Sequence, residues 1–280
     1  MKRLVLLIIS TTLCGFVFTS CRSSLEMDEF GVKSGYSTNN EHIKSISTNG
    51  TIIHKYYYND TGKIVEENCL FYFKKYIYGK NDRLEKTESA FDRNMYSSTW
   101  HEPRTEFMTS KNSAADSYSL YTYDETGRLS MIKNYFNETG KVFEYRSMQT
   151  FEYNGENISK LNLHEQSGKI TQYHVYSYDK NGNVASDKYF TNIFNSENTL
   201  QSETVYKYDN HKNPYMIFRM LGPPGLWSNT NNIIETNTTR YEDIPGIDKY
   251  SHSTTTFRYG KNGYPIKEIT VNSEFEYHYQ

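Results

Sequence analysis

Residues that could perform chemistry are spread along this chain without a catalytic spacing. The sequence has no Gly-x-Ser-x-Gly nucleophile elbow, no His-Glu-x-x-His zinc motif and no phosphate-binding loop ending in Gly-Lys-Ser/Thr. The two catalytic carboxylates of a glycosidase meet in space and not in sequence. No such pair can therefore be chosen among the 33 acidic residues. No two histidines stand at metal-ligand spacing; they are His42, His54, His101, His164, His174, His211, His252 and His278. We therefore predict no enzyme activity, no metal site and no cofactor.

Two short motifs look like ligand-binding loops but are better explained as turns. Asp179-x-Asn181-Gly182-Asn183 has its glycine in the fourth place of a calcium loop and no glutamate in the twelfth. Ser167-Gly168-Lys169 lies between two stretches of strand-like sequence and reads as a hairpin turn.

The charge balance excludes one class of partner. The net charge is −2, and it becomes −4 when Lys2 and Arg3 are removed with the first 20 residues. Nucleic-acid binding needs a concentrated basic face, which this composition does not supply. We expect no nucleic-acid partner.

The N-terminus has the layout of an export signal. Lys2 and Arg3 precede an apolar run that is too short for a stable membrane span. It ends in Phe18-Thr19-Ser20-Cys21, which resembles the lipobox of bacterial lipoproteins. The resemblance implies a signal peptide over 1–20, cleavage before Cys21 and acylation of that residue, which would anchor the protein to a membrane. An ordinary cleaved signal with an incidental cysteine is the alternative.

The other two cysteines fit this interpretation. Cys14 would be discarded with the signal, and Cys69 would be left without a disulfide partner. We expect Cys69 to be a buried apolar side chain. Residues 21–40 are polar and predict a tether between the lipid and a domain over 41–280.

From about residue 42 one motif recurs: an aromatic, any residue, a tyrosine, a polar turn with glycine, and an aliphatic. Clear copies begin at Tyr56, Tyr121 and Tyr176, and looser ones at Tyr76, Phe151, Tyr206 and Phe257. Two aromatics one residue apart share a strand face, Asp or Asn opens the turn, and glycine supplies the positive φ that closes it. The proposed turn glycines are Gly62, Gly127, Gly140, Gly168, Gly182 and Gly263.

Hairpins of this kind predict an all-β fold. An isolated hairpin is marginal in water, so the copies should pair edge to edge and share their aromatic faces. We predict an antiparallel meander of β-hairpin repeats that forms one curved, twisted sheet or open barrel. With 27 tyrosines in the chain, its core should consist largely of rings. Phe275, Tyr277 and Tyr279 should lie on one face of a closing strand.

Two stretches lack the hairpin repeat, at about 92–117 and 215–232. The second contains Gly222-Pro223-Pro224-Gly225, which forbids a regular helix or a central strand. Long loops on a repeat scaffold often carry function. We therefore predict Trp100 and Trp227, which lie in these stretches, as ligand-contact residues; packing of the loops onto the sheet is the alternative.

The Tyr-x-Tyr-Asp-x-x-Gly-x-Leu pattern resembles the YD repeat of Rhs-type proteins. Together with the lipobox and the stretch 208–215, it resembles YD-repeat-like envelope lipoproteins of Bacteroides-type bacteria, a group to which no activity is assigned. The resemblance implies a curved antiparallel sheet in the cell envelope, lipid-anchored at the outer membrane. We expect a non-catalytic binding or scaffolding module for a glycan or protein partner. The alternatives are a half-barrel carrier of a lipid or apolar ligand, and a hydrolase.

Overall fold

The computed structural model describes residues 42–80, 82–92, 104–138, 140–191, 198–219, 221–225, 228–242 and 246–280. Cys21, the tether and both tryptophans lie outside these ranges. The described residues form 17 strands, one 3-10 helix (Pro214–Phe218) and no α-helix. The strands are β1 (Ile43–Thr48), β2 (Thr51–Tyr58), β3 (Ile64–Cys69), β4 (Tyr72–Tyr78), β5 (Leu84–Phe91), β6 (Ser117–Tyr123), β7 (Leu129–Phe136), β8 (Glu144–Asn154), β9 (Asn157–Glu165), β10 (Ile170–Tyr178), β11 (Val184–Thr191), β12 (Thr199–Tyr208), β13 (Ile233–Arg240), β14 (Tyr250–Thr254), β15 (Thr256–Tyr259), β16 (Pro265–Ile269) and β17 (Glu274–Tyr279).

The strands form a single antiparallel meander. From β1 through β14, consecutive strands pair with each other. In the same way β15 pairs with β16, and β16 pairs with β17. β17 pairs with β1, so the sheet nearly closes into a barrel. One open seam remains between β14 and β15, on either side of Thr255. The predicted fold class is confirmed.

The repeat motif forms its hairpin through the side chain that opens the turn. The Asp124 carboxylate accepts hydrogen bonds from the backbone N–H groups of Thr126 (3.0 Å) and Arg128 (2.9 Å), and Gly127 has a φ of +86°. Asn59 and Asp179 accept the equivalent bonds in their turns. In each copy the strand register shifts at the second tyrosine, as at Tyr123, so a β-bulge adds local twist there.

The six proposed turn glycines all have positive φ, but they lie at two different edges of the sheet, meaning here the two ends of its strands. In a meander alternate connections fall on opposite edges; β14 and β15 run in the same direction, so they count as one strand in this alternation. Gly62, Gly127, Gly182 and Gly263 lie at one edge, called the repeat-turn edge. The half-copies at Gly140 and Gly168 lie at the opposite edge, because they connect β7 to β8 and β9 to β10.

One face of the sheet, called the inner face, carries the two largest buried clusters. Tyr56 is 3% exposed whereas its neighbour Tyr57 is 46% exposed, as expected for alternating side chains. The first cluster includes Ile43, Ile46, Tyr56, Ile64, Tyr76, Leu84, Phe275 and Tyr277. The second comprises Leu129, Ile132, Phe151, Leu161, Tyr176 and Val184. Phe275 and Tyr277 are buried and Tyr279 packs against them, so the predicted closing strand is correct.

The two irregular stretches cover different faces of the sheet. Met108, from the first stretch, packs with Phe73 and Ala90 on the outer face. Residues of the second stretch join the first inner cluster: Tyr215, Ile217, Phe218 and Leu221. Cys69 is buried, as expected. The second stretch therefore fills part of the space that the sheet encloses.

Candidate functional site

The tyrosines before the repeat turns link one repeat to the previous one. The Tyr123 hydroxyl donates to the backbone carbonyl of Leu84 (2.9 Å), which begins the return strand of the preceding hairpin. We call this contact the tyrosine clasp. Equivalent clasps join Tyr153 to Leu129 (2.7 Å), Tyr178 to Ile158 (2.8 Å) and Tyr208 to Val184 (2.6 Å). Burial is the main reason that the pKa of Tyr153 rises to about 12. These hydroxyls therefore stay protonated and serve as structural donors.

Asparagine side chains hold the second irregular stretch against the repeat-turn edge. Asn213 caps the 3-10 helix by accepting from the Tyr215 N–H (3.0 Å), and its amide donates to the carbonyl of Asn229 (2.9 Å). The Asn229 side chain in turn accepts from the N–H of Val184 in β11 (2.8 Å). Asn183 and Asn231 exchange two further bonds, of 3.0 and 3.1 Å. This stretch is consequently fixed to the sheet by directional contacts as well as by its buried rings.

A cavity of about 700 Å³ lies between this stretch, strands β10 to β13 and strands β14 to β17. Its volume is within the range of about 300–1,000 Å³ that is usual for small-molecule sites. Eight serine and threonine residues and four asparagines line it. Six aromatic residues complete most of the wall: Tyr176, Tyr206, Tyr215, Phe257, Phe275 and Tyr277.

The cavity wall contains two carboxylates, each with a hydrogen-bonded neighbour. Asp187 lies 2.8 Å from Nδ1 of His174, whose ring contacts the ring of Tyr189 at 5.0 Å. Burial, with a contribution from the charge of Glu242, raises the pKa of Tyr189 to about 12. On the other side, the Tyr277 hydroxyl donates to Glu268 at 2.5 Å.

The Tyr277 hydroxyl also accepts a bond from Tyr215 at 3.3 Å. Burial and the nearby charge of Glu268 hold the pKa of both tyrosines well above the ordinary value. Neither hydroxyl can therefore act as a base near neutral pH; both can only donate and accept hydrogen bonds. The arrangement is suited to holding a polar ligand.

A second polar cluster on the inner face is sealed from solvent. His54 is hydrogen-bonded to Tyr72 (3.0 Å) and Tyr56 (3.3 Å), and its Nε2 lies 3.8 Å from Glu67. All four side chains are at most 5% exposed, and none lines the cavity. Since no substrate could reach it, we assign this cluster a structural role.

Sequence reasoning did not identify the cavity. Its lining comes from eight strands, β10 to β17, and from the connections between them, which are far apart in the chain. Trp100 and Trp227 lie outside the described residues. Their role as contact residues stays a prediction. Within the described ranges, no group of three or more His, Cys, Asp or Glu side chains is arranged to hold a metal ion. Nor does any described helix have the length and apolarity of a membrane span.

The described residues thus form a nearly closed antiparallel meander with a cavity between its strands. No family model and no curated protein matches the sequence. Among solved structures, a porin-like protein from Bacteroides vulgatus is similar at 10% identity, over 86% of this chain and 99% of that one, with a TM-score of 0.48. A porin-like protein from Bacteroides uniformis is similar at 12% identity, over 85% and 98%, with a TM-score of 0.47.

A third similarity is to the TcdB2-TccC3-TEV structure. It has 13% identity and covers 78% of this chain but 10% of the other, with a TM-score of 0.30. At these identities and TM-scores the three similarities carry no argument about ligands or activity.

Proposed function

We propose that this protein is a lipid-anchored cell-envelope protein of the YD-repeat type that binds a glycan without catalysis. The observation that carries the proposal is the composition of the cavity wall, where six aromatic rings lie among hydroxyl and amide side chains. Rings offer flat apolar faces to the C–H surfaces of a sugar, and hydroxyls and amides both donate and accept hydrogen bonds.

The wall does not favour an apolar ligand. A lipid chain in this cavity would cover Ser, Thr and Asn side chains and the carboxylates of Asp187 and Glu268 without giving them hydrogen bonds. Covering an unsatisfied polar group costs about 1–3 kcal/mol, and a charged group costs more. A polar ligand avoids this cost.

The charged residues on the outer face favour anchoring through a lipid over anchoring by strands embedded in a bilayer. Oppositely charged residues face each other across neighbouring strands: Lys160 and Glu152 at 3.3 Å, Lys188 and Glu203 at 3.6 Å, and Lys207 and Glu235 at 2.9 Å. Charged side chains on a lipid-facing barrel surface are destabilising. A water-exposed domain tethered through Cys21 at the outer membrane is compatible with these pairs.

Binding is tested with an array of soluble neutral oligosaccharides and the purified protein. We expect a subset to bind, and Tyr206→Ala to weaken that binding at least tenfold because a stacking ring is lost from the wall. Tyr57→Ala, on the outer face, is the matched control and should bind normally. Chromatography of the incubated sugars should show no cleavage. Absence of binding across the array, or cleavage products, would count against the proposal.

The anchor is tested separately by labelling cells with a radioactive fatty acid. Cys21→Ser should abolish the label and release the protein from the membrane fraction. Cys69→Ser is the matched control and should keep both. Label that persists in Cys21→Ser would contradict the proposed lipidation.

A further inference from the structure

The proposed site is the cavity, whose wall carries more acidic than basic side chains. Two of its lining residues are acids, Asp187 and Glu268; none of the described lining residues is Lys or Arg, and His252 is the one basic side chain among them. The two acids come from β11 and β16, so they belong to different parts of the wall. A concave site lined by charges of one sign raises the local concentration of ligands of the opposite sign.

The aromatic residues of the wall reinforce this preference. Tyr176 and Tyr206 project from the strands on either side of Asp187, and Phe257 lies on β15 beside β16. The face of an aromatic ring is electron-rich and attracts an ammonium group. Carboxylates and ring faces therefore both favour a positively charged ligand. The hydroxyl and amide side chains bind the ligand's neutral polar groups.

We infer that the cavity binds an amine-bearing sugar, a short oligosaccharide of amino sugars, and rejects sugar acids. This rests on the proposed glycan-binding function and adds the ligand's charge to it. The protonated amine lies toward the Asp187 carboxylate, and the rings stack on the sugar faces. A uronic acid would bring a third negative group into a wall that has no Lys or Arg, and like charges placed together oppose binding.

Isothermal titration calorimetry of the purified protein tests this at neutral pH and low ionic strength. The probes are three tetrasaccharides of glucosamine, N-acetylglucosamine and galacturonic acid. The first two share a backbone and differ in the amine. We expect the glucosamine tetramer to bind at least tenfold more tightly than the acetylated one, and the galacturonate tetramer not to bind. Added salt should weaken glucosamine binding more than N-acetylglucosamine binding, because screening reduces the ionic part.

Asp187→Asn should remove most of the preference for the amine, since it keeps the side-chain shape and loses the charge. Glu203→Gln is the control, because Glu203 pairs with Lys188 outside the cavity; it should keep the preference. If Asp187→Asn fails to fold, the salt dependence of the unmodified protein decides.

The other possible results contradict either the charge inference alone or the proposed glycan binding as well. Equal binding of the amine and its acetylated form, or tight binding of galacturonate, overturns the charge inference and leaves glycan binding intact. No binding of any tetramer, together with a negative glycan array, overturns the proposed function and this inference with it. Loss of the preference in Glu203→Gln as well would show that the effect does not come from the cavity.

Discussion

At the scale of single residues, the recurrence of tyrosine rather than phenylalanine has a structural reason. The clasp uses the hydroxyl to reach a backbone carbonyl in the preceding hairpin, where the bulge disturbs regular strand pairing. The sequence predicted that the ring would be buried. The clasp could not be predicted, because the acceptor lies 20 residues or more away and its position depends on how two hairpins twist together.

Removing one clasp hydroxyl should therefore destabilise the fold. In Tyr153→Phe the ring stays in place and the carbonyl of Leu129 loses its donor. We expect a loss of about 1–3 kcal/mol in the free energy of unfolding, the usual cost of leaving a buried polar group unsatisfied. Urea titration measures it. Tyr57→Phe should change the value by less than about 0.5 kcal/mol, as is usual for exposed sites; equal effects would contradict the clasp.

The turn aspartate makes a pH-dependent contribution. Hydrogen bonds from Thr126 and Arg128, with the charge of Arg128, lower the pKa of Asp124 below its ordinary 3.8. Because the folded pKa lies below the unfolded one, this contribution is present above about pH 4 and is lost as the pH falls through the folded pKa.

Asp124→Asn should thus show a shallower loss of stability in acid than the unmodified protein. Asn59 already uses an amide oxygen in the same turn position, so the variant can keep the turn. Thermal unfolding between neutral pH and about pH 2 measures the slopes. Identical slopes would contradict the role of the carboxylate.

At the scale of elements, local turn chemistry is enough to predict the hairpins. The aromatic spacing, the Asp or Asn and the glycine are contiguous in sequence, and the structure places a hairpin at each clear copy. The long interruptions were also predictable from Gly-Pro-Pro-Gly and the missing motif. Which face each interruption covers was not, because both contain apolar residues, and only the assembled sheet separates Met108 outside from Phe218 inside.

Gly168 tests the turn chemistry without steric complications. It has a φ of +87°, and a Cβ placed there would contact nothing within 4 Å. Gly168→Ala should cost about 1–2 kcal/mol of unfolding free energy through backbone strain alone. Gly168→Asn should cost less, because asparagine tolerates this conformation, as Asn49 and Asn198 do in this chain. Equal costs for the two variants, measured by urea titration, would contradict a left-handed turn.

At the scale of the whole molecule, the sequence left open whether the sheet stays open or curls into a barrel. Closure depends on the summed twist of all the strands, which no single repeat encodes. Pairing between β1 and β17 brings the two ends of the domain together. The cavity residues could not be predicted for the same reason, since Asp187 and Glu268 line one space only when strands β10 to β17 have curled around it.

Cross-linking of the first and last strands tests this closure most directly. Ser45 and His278 are register partners in β1 and β17, so Ser45→Cys with His278→Cys should react with a short bis-maleimide to give one intramolecular link, identified by peptide mass spectrometry. Ser45→Cys with Thr122→Cys is the control pair and should stay unlinked. An unlinked first pair in folded protein, or equal linking of both pairs, would contradict a sheet that closes through its terminal strands.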